Sequence, residues 1–212
     1  MTNLPASQLA RGCDGPLQRS FCDRRVVDVA RDLLGKLLVR RTSEGLLCGR
    51  IVETEAYLAD GDPACHAARG KTRKNATMFG PPGRAYVYSI HARYCFNVVT
   101  QARGVASAVL IRAVEPLLGL DQMRRRRGRD GIAELTTGPA KLCEAFQIGP
   151  ALDGWDLTRG TRLWIGEPNG REPTSFDIGQ SSRIGVTSAE DLMLRFYVRD
   201  NAFVSGPKRL RS

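Results

Sequence analysis

No two cysteines in this 212-residue chain stand in a C-x-x-C pair, and the six that occur (Cys13, Cys22, Cys48, Cys65, Cys95 and Cys143) are dispersed along it. In a chain of this size that argues against a zinc ribbon or a disulfide framework and for reduced thiols in the cytosol. Acidic residues are scarce too: 22 Asp and Glu against 32 Lys and Arg leave a net charge of +10. A field of that sign gathers polyanions, with nucleic acid the leading partner class, although the same excess can also serve solubility alone. No apolar run approaches a bilayer span, so no membrane partner is expected. The first 22 residues lack the apolar stretch of a secretory signal, and residues 1–20 read as a loose, flexible arm. Only two histidines occur, His66 and His91, and neither has a companion at metal-ligand spacing beyond the adjacent Cys65. No metal and no other cofactor is expected. Neither a phosphate loop of the form G-x-x-x-x-G-K-[ST] nor a G-x-S-x-G nucleophile elbow is present.

What remains is the composition of an ordinary globular protein, 42% hydrophobic, and residues 21–212 are read as one domain. The pattern predicts a helix from Asp23, capped by that residue, with Val26, Val29, Ala30, Leu33 and Leu34 on one face and Gly35 ending it. A strand over 36–41 follows. A second strand over 47–57 alternates so that Leu47, Gly49, Ile51, Glu53, Glu55 and Tyr57 share a side. Residues 60–83 lack periodicity and predict a long surface loop. Strands over 84–91 and 94–100, tightly joined, and a third over 106–114 suggest an antiparallel meander. A helix over 116–127 opens with Pro116 and ends in four arginines, Arg124 to Arg127. Thr137-Gly138-Pro139 starts another, and further strands are expected over 162–166, 183–186 and 194–199.

Several residues could carry chemistry. Glu55 and Tyr57 project to one side of a strand, a carboxylate beside a flat ring that could hold a base and attack its sugar. Glu53 shares that face, and the residues alone leave the choice between the two carboxylates open; both could equally be strand residues paired with arginines. Tyr86 and Tyr88 in RAYVYSIHARYCFN point one way, suited to stacking on bases or to packing in a β core. The arginine run reads as a solvated helix end or as a phosphate contact without sequence preference. Lys141, at the start of its helix, is the better phosphate candidate, because free amides there favour an anion.

The strings GRIVETEAY (49–57), MFGPPGRAYVY (78–88), LIRAVEPLLGL (110–120), TGPAKLC (137–143) and RFYVR (195–199), with His66 between the first two, occur in one order. Together they resemble the alkyladenine (3-methyladenine) DNA glycosylase family over nearly the whole chain. The patterns and the resemblance imply an α+β domain with a curved, mainly antiparallel sheet, flanking helices and a protruding β-hairpin. The resemblance makes Glu55 the general base in preference to Glu53. It implies a base pocket of Tyr57, His66 and Tyr88, an Arg112 that helps hold the water and a phosphate, and a main-chain carbonyl at Ile184 that positions the water. Asn97 matches the family asparagine that crowds the guanine amino group, although the segment after Tyr88 is one residue shorter than usual. His91 stands where many members insert a tyrosine between bases, and Ala92 replaces the glycine that follows it. The implied partner is double-stranded DNA containing damaged purines, acted on by a monomer without an obligatory protein partner. A non-catalytic damage-binding protein or an RNA-binding module are the competing functions.

Overall fold

The expected meander forms the middle of a larger open sheet in the computed structural model, which describes residues 13–168 and 177–207. Its strands are β1 (Cys13–Asp14), β2 (Leu37–Thr42), β3 (Gly45–Tyr57), β4 (Ala85–Ile90), β5 (Arg93–Thr100), β6 (Ser107–Leu118), β7 (Leu163–Pro168), β8 (Ile178–Ser181) and β9 (Arg195–Val198). They run in the order β1-β7-β2-β3-β6-β5-β4, with β9 joined to β3 and β8 to β9, and every pairing is antiparallel. One edge of β3 is shared: β2 pairs with its first half, and β9 with Glu53 to Glu55. The fold is α+β, as the sequence implies. Among the described residues no helix is long and apolar enough to cross a membrane.

The helices are short: α1 (Arg19–Cys22), α2 (Val26–Asp32), α3 (Leu120–Arg127) and α4 (Pro139–Ala145). Val29, Ala30 and Leu33 from α2 and its end, with Leu142 and Phe146 around α4, bury themselves in one core with Ile51, Phe96 and Ile111 of the sheet. Full burial of each larger side chain contributes roughly 1.5–3 kcal/mol. The opposite face carries a second, smaller cluster built from Cys65, Met78, Tyr86, Val99 and Ala108, and here the functional residues gather.

One irregularity in β3 decides which side chains reach that second face. The β3–β6 register shifts between Ile51 and Glu53 and again between Glu53 and Thr54. A bulge of this kind resets the alternation of a strand. Leu47 and Ile51 therefore pack into the helix-side core, and Thr54 donates from its hydroxyl to the Ala30 carbonyl of α2 at 2.8 Å. Glu53, Glu55 and Tyr57 turn the other way. The unbroken alternation expected from Leu47 to Tyr57 is thus corrected to two half-strands of opposite parity.

Four further expectations are corrected. Residues 1–12 of the expected arm lie outside the described residues, but residues 13–20 belong to the fold: β1 pairs with β7, Leu17 packs on the core, and Arg19 binds Asp156 and the Pro82 carbonyl. Asp23 ends α1, and Arg25 occupies the N-cap of α2 without a side-chain cap. Pro116 continues β6, and α3 begins only at Leu120. The proline is tolerated because β5 pairs with β6 only as far as Leu110, so no ladder partner on that side needs its missing N–H. Residues 183–186 form no strand; they are a loop lying over the end of β3, where their backbone serves side chains.

Candidate active site

Beyond its bulge, β3 carries two carboxylates into a dry floor. Glu53 and Glu55 are both 0% exposed, and Arg112 of β6 bridges them, its Nε donating to Glu53 at 2.9 Å and its Nη1 lying 3.1 Å from Glu55. Burial disfavours the charge on Glu53, but Arg112 and Arg195 outweigh it and hold its pKa below the usual carboxylate value. Burial likewise opposes the Arg112 charge, and Glu55 and Glu53 more than reverse the effect.

The two carboxylates differ in how fully they are occupied. Glu53 accepts from Arg112, from Arg195 Nε at 2.7 Å, from the Ser205 amide at 2.6 Å and from the Ser205 hydroxyl at 3.0 Å. On Glu55, Oε1 accepts from the Ile184 amide at 2.8 Å and faces Arg112, whereas Oε2 accepts only from the Tyr57 hydroxyl, at 3.0 Å, among the described residues. A carboxylate oxygen has room for a further donor. The Ile184 carbonyl lies 3.4 Å from Arg112 Nη1, so the main chain of this residue meets both members of the pair.

Tyr57 links this floor to the aromatic face. Burial and the neighbouring Glu55 charge push its phenol pKa up, so it remains a donor. Tyr57, His66, Tyr86, Tyr88 and Asn97 line one cavity with Met78 and Ala108. His66 meets Tyr88 edge to face with centroids 4.3 Å apart, and its Nδ1 is 2.9 Å from the Tyr86 hydroxyl. Burial lowers the His66 pKa, which favours a neutral ring. The cavity is narrow: its volume is about 10 Å³, room for roughly one water and far less than a purine.

The β4–β5 hairpin resolves the short spacing seen in the sequence. Its register is continuous from Ala85↔Val98 to Ile90↔Arg93, which places Asn97 opposite Tyr86, where its amide donates to the Tyr86 carbonyl at 3.1 Å. Only His91 and Ala92 are left for the turn, with φ of 47° and 60°. A two-residue turn of this twist needs positive φ at both positions, and a non-glycine residue there is strained by about 1–2 kcal/mol. His91 sits at the exposed tip beside Ile90, which is 50% exposed.

The basic candidates separate. Lys141 is half-buried in the first turn of α4, with no ion pair among the described residues. The arginine run is occupied: Arg124 pairs with Asp121, Arg125 and Arg126 with Glu44, and Arg127 with Glu144. It ties α3 to its neighbours.

The sequence did not single out four residues that build this floor. Arg195 and Ser205 anchor Glu53. Arg183 and Asp62 form a fully buried bidentate pair at 2.6 and 2.7 Å, and the Arg183 guanidinium lies 4.6 Å from the centre of the Tyr57 ring. Arg195 lies in the RFYVR string, which was a usable signal. The Arg183–Asp62 pair joins two loops 121 positions apart, and no local pattern announces such a contact.

The sequence model of the methylpurine-DNA glycosylase family matches residues 20–202. A protein of Carboxydothermus hydrogenoformans, provisionally named a 3-methyladenine DNA glycosylase, is 52% identical over 192 residues, covering 89% of this chain and 98% of the relative. One of Mesorhizobium japonicum with the same provisional name is 45% identical over 208 residues, 97% of this chain and 98% of the relative. With Glu55, Arg112, Tyr57 and His66 gathered at one cleft and the likeness spanning nearly the full length, the chain belongs to the methylpurine-DNA glycosylase family.

Proposed function

We propose that this chain is a monofunctional DNA glycosylase that takes alkylated purines, of the 3-methyladenine and 7-methylguanine type, out of duplex DNA and hydrolyses their N-glycosidic bond. One observation carries the reading: the buried carboxylate of Glu55 keeps acceptor capacity on Oε2 at the edge of a cavity walled by aromatic rings.

A stacked base shields its own glycosidic bond, so the nucleotide is rotated out at a cost of a few kcal/mol, least for a damaged base. Stacking on Tyr57, His66 and Tyr88 offsets this by about 1–3 kcal/mol per base. His91 fills the gap in the duplex from the hairpin tip. The walls differ in freedom. Tyr57 is tied to Glu55 and backed by Arg183, whereas His66 rides on the loop between β3 and β4. Opening of the cavity is assigned to the loop side.

Alkylation at N3 or N7 leaves the purine cationic and ready to depart, so one carboxylate suffices where a glycosidase needs two. Glu55 accepts the proton of the attacking water and stabilises positive charge developing on the sugar. Arg112 and the Ile184 main chain orient that water, Asn97 opposes the amino group of normal guanine, and Lys141 takes a phosphate. A neutral His66 stacks on a cationic base without repulsion. Among the described residues no lysine lines the cavity to form a Schiff base with the sugar, which supports release of the base without strand cleavage. We place this activity in the cytosol, carried out by a monomer.

The test is base release from duplexes that each contain a single lesion, comparing wild type with Glu55→Gln. Release is lost in the variant while binding to the damaged duplex persists, and no strand is cut until alkali is added. Binding without base release by wild type would make the chain a damage-binding protein, release unchanged by Glu55→Gln would take the chemistry away from Glu55, and strand scission without alkali would end the monofunctional reading.

A further inference from the structure

We propose that the trough behind the β4–β5 hairpin is a second phosphate-binding track, which holds the backbone of the DNA strand that continues past the flipped nucleotide. The proposal rests on the reading of the chain as a DNA-acting enzyme and extends it to a surface away from the carboxylate floor.

The trough has a volume of about 870 Å³, and Arg40, Arg41, Arg93 and Arg162 line it. Arg40 is only 8% exposed, and no carboxylate lies within ion-pair distance of it among the described residues. Its Nη1 donates to the Arg41 and Arg162 carbonyls at 2.8 and 3.1 Å and its Nη2 to the Gln147 carbonyl at 3.5 Å, while its buried Nε has no partner among the described residues. Burying a guanidinium without a counter-charge is unfavourable, and here Arg162 and Arg126 add like charge nearby. Glu144, the one acidic residue on the wall among the described residues, is committed to Arg127. The wall of the trough therefore carries positive charge that no neighbouring carboxylate among the described residues offsets.

Its rim is prepared for contact. Arg41, Arg93 and Arg162 are exposed, and the guanidiniums of Arg41 and Arg162 rest over Trp164 and Trp155, with centroid distances of 5.9 and 5.0 Å. Rings beneath them limit the side-chain freedom lost on binding.

Continuity identifies the anion as part of a chain. A second depression of about 510 Å³ runs along the outer side of His66 and Tyr88, carries Arg69 and Lys74, and shares Tyr94 and Pro150 with the trough. The two form one basic channel from the aromatic pocket, past the base of the hairpin, to Arg40. A free phosphate would need only one end of it, whereas a phosphodiester backbone uses its length.

The experiment measures binding of an abasic-analogue duplex over a range of salt concentrations. Each phosphate neutralised contributes about 0.9 to the slope of log K against log salt. Arg41→Ala/Arg162→Ala should therefore lower that slope by about 2. Arg124→Ala/Arg125→Ala, which removes equal charge from α3, should leave it as in wild type. The difference should vanish on a duplex truncated on the side that lies in the trough. Equal slopes for all three proteins, or the same fall in both variants, overturn the proposal. So does calorimetry in which inorganic phosphate binds through Arg41 and Arg162 while the DNA slope is untouched, since that makes the trough a free-anion site. Failure of wild type itself to bind damaged duplexes would instead sink the glycosylase reading, and this track with it.

Discussion

The inner and outer parts of the cleft floor are built from the same amino acid two positions apart, and they do different work. The inner part is the more heavily tied: Glu53 takes four hydrogen bonds, from Arg112, Arg195 and both donors of Ser205, so the last described loop, β9 and β6 are tied to β3 at one point. The outer part borders the cavity: Glu55 shares Arg112, takes one amide, and its second oxygen meets the hydroxyl of Tyr57, which lines the aromatic wall. A carboxylate held between two arginines and a loop backbone organises structure, and one that also reaches the aromatic cavity can bind and activate water. The surroundings of each carboxylate separate the roles where residue type and burial do not.

The sharpest way to break this comparison is to neutralise each carboxylate in turn. Glu55→Gln should reduce base release by three orders of magnitude or more, about 4 kcal/mol in the barrier, as followed by single-turnover kinetics. Its unfolding midpoint should shift far less than that of the inner variant. Glu53→Gln should destabilise the fold by about 3–5 kcal/mol in denaturant, because it leaves two buried arginines undercompensated. A Glu53→Gln protein as stable as wild type but catalytically dead would reverse the assignment.

Acid sharpens the same contrast. The folded pKa of Glu53 lies below its ordinary 4.5, so on acidification the unfolded chain takes up the proton first. The stability it contributes is present above about pH 4.5 and is lost as the pH falls through the folded value. Stability curves of wild type and Glu53→Gln should therefore converge in that window. Tyr57→Phe probes the outer part alone: loss of one hydrogen bond to a charged group should slow release by about ten- to a hundredfold, with the rest of the floor intact. The smallest effect belongs outside the cleft. Arg125→Ala breaks an exposed pair with Glu44 and should change thermal stability by about 0.5 kcal/mol or less.

Much of this was legible in the residues because it is local. The period-two placement of Glu55 with Tyr57, and of Tyr86 with Tyr88, survived intact. The apolar spacing of Val26, Val29, Ala30, Leu33 and Leu34 gave a buried helix face, even though the cap lay at Arg25. What failed depends on partners distant in the chain. Pro116 reads locally as a helix opener, and only the early end of β5 makes it acceptable in β6. The bulge at Glu53 follows from how β6 and β9 meet β3, which alternation within β3 cannot reveal. The loudest basic signal, four consecutive arginines, proved to be internal bracing, while the isolated arginines 112, 183 and 195 build the floor.

The narrowness of the aromatic cavity bears on how such a protein would search a genome. With the edge of the histidine ring against Tyr88 and space for a single water, the resting molecule offers no ready slot to the vast majority of sound purines it passes. Each visitor has to displace that loop-borne wall, so admission itself discriminates in favour of nucleotides already loosened from their neighbours and drawn toward π-electron surfaces by a positive charge. Recognition then begins as a mechanical threshold, before any bond is at risk.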